Sequence, residues 1–179
     1  MPADSPPAQQ IPPRHSIDYV LRTAQQNLVA LTGQADLKAS IIITTSSVVL
    51  SISATQWAQR DLRWGIATLA VGVLGALFLA VIAVYPKYSV APPRDVAFPD
   101  GANPLFFGHV AAVTEARYKE RIRTVLSDDA TLYDALLSDI YQQGNYMLHS
   151  KYRYLKASYT MLLGGFALAP VVQVIATNT

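Results

Sequence analysis

The amino-acid sequence predicts an all-α membrane protein with three transmembrane helices, two of them extended into the cytosol as stalks that pack with one cytosolic helix. Three observations predict it. Charge-free apolar stretches lie at residues 39–58, 65–85 and 157–176, each close to the roughly 20 residues a helix needs to cross a bilayer. Composition is 51% hydrophobic and 15% charged. Outside the spans, apolar residues recur at spacings of three and four, the period of a helix with one buried face.

Residues 1–15 are rich in Pro, Gln and Ala without periodicity and read as a disordered tail. The first 38 residues carry no apolar core ahead of a small-residue cleavage site, so no cleavable signal is expected. A single domain is expected over 16–176. Ser16 is the expected N-cap of its first helix, with Asp18 in the first turn. Ile17, Val20, Leu21, Ala24, Leu28 and Leu31 form that helix's apolar stripe, and no proline separates it from the first span. Only residues 59–64 divide the first two spans, which imposes an antiparallel hairpin. Tyr85 and Pro86 end the second span as an interfacial aromatic and a helix stop.

Pro92, Pro93, Pro99, Gly101 and Asn103 mark the following stretch as loop. A helix is expected from Pro104 to about Leu126, then a new one capped by Ser127 with Asp128 and Asp129 in its first turn. Its stripe of Leu132, Leu136, Ile140 and Met147 runs without proline into the third span. Polar Ser158, Thr160 and Gln173, with Pro170, make that span the least apolar of the three.

Orientation follows from the basic residues, which resist translocation. Arg14, Arg22, Lys38, Lys87, Arg94, Arg117, Lys119, Arg121, Arg123, Lys151, Arg153 and Lys156 fall on one side of the expected topology, and only Arg60 and Arg63 on the other. The N-terminus and region 87–156 are therefore expected in the cytoplasm and the C-terminus in the periplasm. Net charge is only +2, but its concentration on one side suits an anionic ligand or anionic lipid headgroups.

Catalytic chemistry finds no support. The absence of cysteine excludes disulfides and thiolate metal sites. His15, His109 and His149 are far apart, and no metal-ligand spacing, phosphate loop or nucleophile elbow is present. No metal, no enzyme activity and no nucleic-acid partner are expected. Asp128, Asp129, Asp134 and Asp139 read as helix-start and solvated charges. Within the first span, Ser40, Thr44, Ser47, Ser51 and Thr55 share one helical face, either for close packing or as the lining of a path in an assembly. Gly72 with Ala76 and Gly165 with Ala169 are small pairs that permit close helix approach.

Ala35-Asp36-Leu37-Lys38-Ala39-Ser40 before the first span, Tyr85-Pro86 after the second, Asn103-Pro104-Leu105-Phe106-Phe107-Gly108 after the loop, and Lys151-Tyr152 with Leu155 before the third together resemble the pattern of the Pycsar transmembrane effector family, over roughly residues 16–176. The resemblance implies an antiphage effector, paired with a pyrimidine cyclase, that responds to cyclic CMP or cyclic UMP by impairing the inner membrane and so causing abortive infection. Because the chain lacks the strands of a β-roll nucleotide receptor, any sensing falls to its helical cytosolic part. Basic groups for a phosphate and rings for a base then point to Phe106, Phe107, Arg117, Arg121, Lys151 and Arg153. Asp36 and Lys38 are expected to find polar partners on other helices at the membrane edge. A homo-oligomer is expected. A non-catalytic membrane scaffold, or a small channel subunit without nucleotide control, is the alternative.

Overall fold

The computed structural model describes residues 14–85, 92–99 and 101–178. Of the tail expected at 1–15, residues 1–13 lie outside the described residues, as do Pro86 and Lys87, while residues 14 and 15 are helical. Helix α1 spans Arg14–Gln56, about 65 Å at 1.5 Å per residue, and begins two residues ahead of the expected Ser16 cap. A 3₁₀ turn, Arg60–Leu62, leads into α2, Arg63–Val84. Tyr85 closes α2 in an extended conformation, φ −62° and ψ 130°, as a residue before proline must. After the loop come the short α3, Phe107–Val110, then α4, Glu115–Leu126, and α5, Asp129–Tyr146. A π-helical segment, Met147–Tyr152, joins α5 to α6, Arg153–Thr177, as one helical path. Among the described residues, three helical paths are long and apolar enough to span a membrane: His15–Gln56, Arg63–Val84 and Asp129–Thr177.

Two expectations for the head, residues 92–146, are corrected. The single helix expected from 104 to 126 is broken between α3 and α4. There Arg94 bridges the chain, its N–H donating to the Ala112 carbonyl at 3.1 Å and its carbonyl accepting from Thr114 N–H at 3.1 Å. Val113 is buried by that bridge. The cap of α5 is Asp128, whose carboxylate accepts from Thr131 N–H at 3.2 Å, while Ser127 closes α4.

In the membrane bundle, α2 and α6 cross where Gly72 faces Gly165. A Cβ on Gly72 would lie 2.6 Å from the Gly165 Cα, so only glycine allows this approach. Ala76 and Ala169, the small partners expected from the sequence, are buried alongside. Ser158 Oγ donates to the Ala76 carbonyl at 2.6 Å inside the same seam. Gln173, a polar residue in an apolar span, accepts from Gly65 N–H at 2.8 Å and donates to the Asp61 carbonyl. It thereby caps the start of α2, whose first N–H groups have no intrahelical partner, and holds α6 level with the full length of α2. Helix α1 packs through Ala35, Ala39 and Ile42 against Ala76, Ala80 and Leu155.

Helices α1 and α5 run side by side toward the membrane in parallel. Asp18 accepts from Tyr133 Oη at 2.8 Å, Gln25 donates to Asp139 at 3.3 Å, Thr32 Oγ1 lies 3.5 Å from Met147 Sδ, and Asp36 meets Lys151. These partners are 114 or 115 residues apart in sequence. A constant offset of this kind is the signature of a parallel, in-register pair. Asp139, expected among the solvated charges, is instead buried and also accepts from Gln143 Nε2 at 2.7 Å.

Candidate functional site

The head carries a half-open cavity of about 480 Å³ between α4, α5 and the loop ahead of α3. Its loop wall depends on Gly101, whose φ of +74° lies in the left-handed region that glycine adopts without steric cost. Asn103 then pins the wall to α5: it is buried, donates through Nδ2 to the Ala135 carbonyl at 2.8 Å, and accepts from Leu105 N–H at 3.0 Å. Its own N–H lies 3.1 Å from His109 Nδ1. Across the cavity, Thr131 Oγ1 donates to the Val125 carbonyl at 2.9 Å and fixes the turn from α4 to α5.

Polar groups project into this space from both helices. Arg121 and Thr124 come from α4, and Thr131, Asp134, Ser138 and Gln142 come from α5. Arg121 forms no ion pair among the described residues. Gln142 Oε1 is buried without a hydrogen-bond partner, and an unmet buried acceptor costs free energy until a donor reaches it. One cation, one carboxylate, three hydroxyls and an unmet amide acceptor therefore line a hollow large enough for a small polar molecule.

Of the six residues expected at a nucleotide, only Arg121 lines this cavity. Arg117, one turn earlier, is bound to Asp95 at 3.1 Å and Glu120 at 3.2 Å. Those hydrogen bonds raise its pKa above the usual guanidinium range, and they tie the loop to α4. On the same helix, Lys119 pairs with Glu115, whose carboxyl is held below its ordinary range by that hydrogen bond. Phe106 packs edge-on to His109, with centroids 5.1 Å apart, beyond the cavity wall, and Phe107 is exposed beside it. Lys151 Nζ lies 2.6 and 2.9 Å from the two Asp36 oxygens. Arg153 stands over the Tyr154 ring at 4.9 Å and donates to its Oη at 2.9 Å, at the start of α6. Five of the six therefore lie outside the cavity, because they belong to the start of α3, to α4, to the π segment and to α6 rather than to one surface.

At the membrane edge Asp36 does meet a partner on another helix, whereas Lys38 is exposed. The hydroxyl face of α1 is exposed throughout. Ser40, Ser47, Ser51 and Thr55 donate back to carbonyls of their own helix, at 2.8 to 3.0 Å. The buried serines of α1 are Ser46 and Ser53, and the Ser46 Oγ has no partner. Neither Asn103 nor Gln142 was singled out as a binding residue by sequence reasoning. Asn103 stood in the recognised motif, but a lone glutamine on a polar helix face gives no signal.

Fold and site together define a helical membrane protein whose head is bound by parallel stalks to a three-helix bundle and holds a polar cavity. The Pycsar effector protein domain matches residues 20–178, and the chain belongs to that family. It is a transmembrane effector of Pycsar antiphage defence, functionally paired with a cyclase, and the family is not a known catalytic one. No curated protein matches the chain. No solved structure matches it either.

Proposed function

We propose that this effector binds cyclic CMP or cyclic UMP in the head cavity and, as a homo-oligomer in the inner membrane, answers by impairing the bilayer. The observation that carries the reading is the pairing of an uncommitted Arg121 with the unmet Gln142 acceptor in one hollow. Arg121 suits the cyclic phosphate, since guanidinium hydrogen bonds to phosphate oxygens are charge-assisted. Gln142 Oε1 suits a base N–H, and Asp134 and Ser138 are placed for hydroxyl or amino donors. The charge asymmetry of the chain supports a cytoplasmic head, where a cyclase product is released.

Transmission would follow the covalent path. Helix α5 lines the cavity and continues through the π segment into α6, so a tilt of α5 on ligand binding is felt in the third span. To move a population from 1:99 to 99:1, the nucleotide must favour the active state by about 5.5 kcal/mol. Several copies sharing that bias supply it more readily than one site.

Membrane potential in cells tests the reading. The protein expressed alone should leave the membrane polarised, and co-expression with an active pyrimidine cyclase should depolarise it. Arg121→Ala should raise the nucleotide concentration needed by about 10- to 100-fold, the loss of a charged hydrogen bond of about 1.5–3 kcal/mol. Arg117→Ala, which removes only surface pairs, should shift it by less than about fivefold. Depolarisation without the cyclase would support a channel subunit free of nucleotide control and refute the proposal.

The exposed hydroxyl face of α1 offers a second prediction, about the assembly. If copies meet around this face to line a path, Ser47→Leu with Ser51→Leu should leave membrane insertion intact and abolish permeabilisation of loaded vesicles. Unchanged leakage in that double variant would remove the face from the path.

A further inference from the structure

Two hollows outside the head meet at one pair of cations. A groove of about 640 Å³ runs between α2 and α6, with Gly72, Gly164 and Gly165 in its floor and Leu79, Met161 and Leu168 along its sides. Arg153 and Lys156 line it as well, and they also line an adjoining hollow of about 410 Å³ that includes Tyr152. No carboxylate lines either space, and neither cation forms an ion pair among the described residues.

The dimensions match half a bilayer. The rise from Lys156 to Leu168 is about 18 Å, against about 15 Å for one leaflet of a 30 Å hydrocarbon core. The cations fall at the headgroup end, where long basic side chains and tyrosines settle. Gly72 and Gly165 are required by the close approach of α2 and α6, whereas a Cβ on Gly164 would meet nothing within 4 Å, and it is there that the missing side chain leaves room for an acyl chain.

We propose that this groove is a binding site for an anionic phospholipid of the leaflet next to the head. One acyl chain lies over Gly164 and Gly165, and the phosphate is held by Arg153 and Lys156. The anionic class follows from charge complementarity: a zwitterionic headgroup would bring an ammonium into a site that has two cations and no carboxylate. This site is separate from the nucleotide cavity and stands or falls independently of it.

Thermal unfolding of the purified full-length protein in neutral detergent, titrated with phosphatidylglycerol or phosphatidylcholine, tests the site. Phosphatidylglycerol should reach half-maximal stabilisation at about 30-fold lower concentration, the factor expected for two basic residues at an anionic surface. Arg153→Gln with Lys156→Gln should bring the two lipids to parity, whereas Arg94→Gln with Arg123→Gln, an equal loss of charge on the head, should preserve the preference. Should the first double variant fail to fold, Gly164→Phe fills the groove at a position where a Cβ meets nothing within 4 Å, and it should abolish the preference too. Equal response to both lipids in the unaltered protein, or a preference retained when the groove is filled, overturns the proposal. So does an interchain disulfide formed by Gly164→Cys in vesicles, because a second copy would then cover the groove.

Discussion

Gly72→Ala is expected to lower the unfolding temperature of the detergent-solubilised protein by about 5–10 °C, and Gly72→Leu to prevent its accumulation in the membrane. The added methyl would sit 2.6 Å from the Gly165 Cα and 3.2 Å from its nitrogen. Both are backbone atoms, so no side-chain rotation relieves the clash and the helices must separate. Separation also weakens the Ser158 bond to Ala76 and the Gln173 cap on Gly65, which exist only at close approach. Overpacking of this kind costs about 1–3 kcal/mol, and about 2–4 °C is lost per kcal/mol in a chain of this size. Gly164 supplies the control. A Cβ there meets nothing within 4 Å, so Gly164→Ala should leave the unfolding temperature unchanged or raise it through better helix propensity. Equal loss at Gly72 and Gly164 would show that the crossing is not where this structure puts it.

Substitution at the Asp36–Lys151 pair is expected to have the next largest effect, with an unequal outcome for its two members. The Lys151 side chain is 17% exposed and that of Asp36 is 45% exposed. Asp36→Ala leaves a mostly buried cation uncompensated, at a cost of about 2 kcal/mol, below the 3–5 kcal/mol typical of fully buried pairs. Lys151→Ala leaves a carboxylate that water still reaches, at a cost of about 1 kcal/mol or less. A double-mutant cycle on thermal or denaturant unfolding measures the coupling directly. Additive losses, or a larger loss for Lys151→Ala, would contradict this account. The pair also closes the row of contacts that joins α1 to α5 at the point where the stalks enter the bundle, so its variants test whether the head and the spans move as one body.

Much of this architecture is written along the chain. Span length and hydropathy are sums over contiguous residues, which is why 39–58, 65–85 and 157–176 each follow a long helical path to within two residues at its end. The Tyr85-Pro86 stop acts through local sterics, and the small pairs at Gly72 and Gly165 mark a close crossing because no other residue type tolerates one. Family membership was equally legible, through short motifs held in order around the spans. Other features were decided only by which helix faces meet. Asp36 and Lys151 are 115 residues apart, and nothing local to either selects the other. Arg117 and Arg121 look equivalent in sequence, yet one is bound to Asp95 and Glu120 while the other lines a cavity. The helix expected across 104–126 breaks because Arg94 supplies backbone hydrogen bonds to Ala112 and Thr114 from a distant loop. Likewise, Asp139 is buried because Gln25, on another helix, is there to bond it. Propensity and transfer energy belong to a segment and can be summed from its residues. The identity of a contact belongs to a pair of surfaces, and it exists only once packing has set how each helix is rotated about its axis.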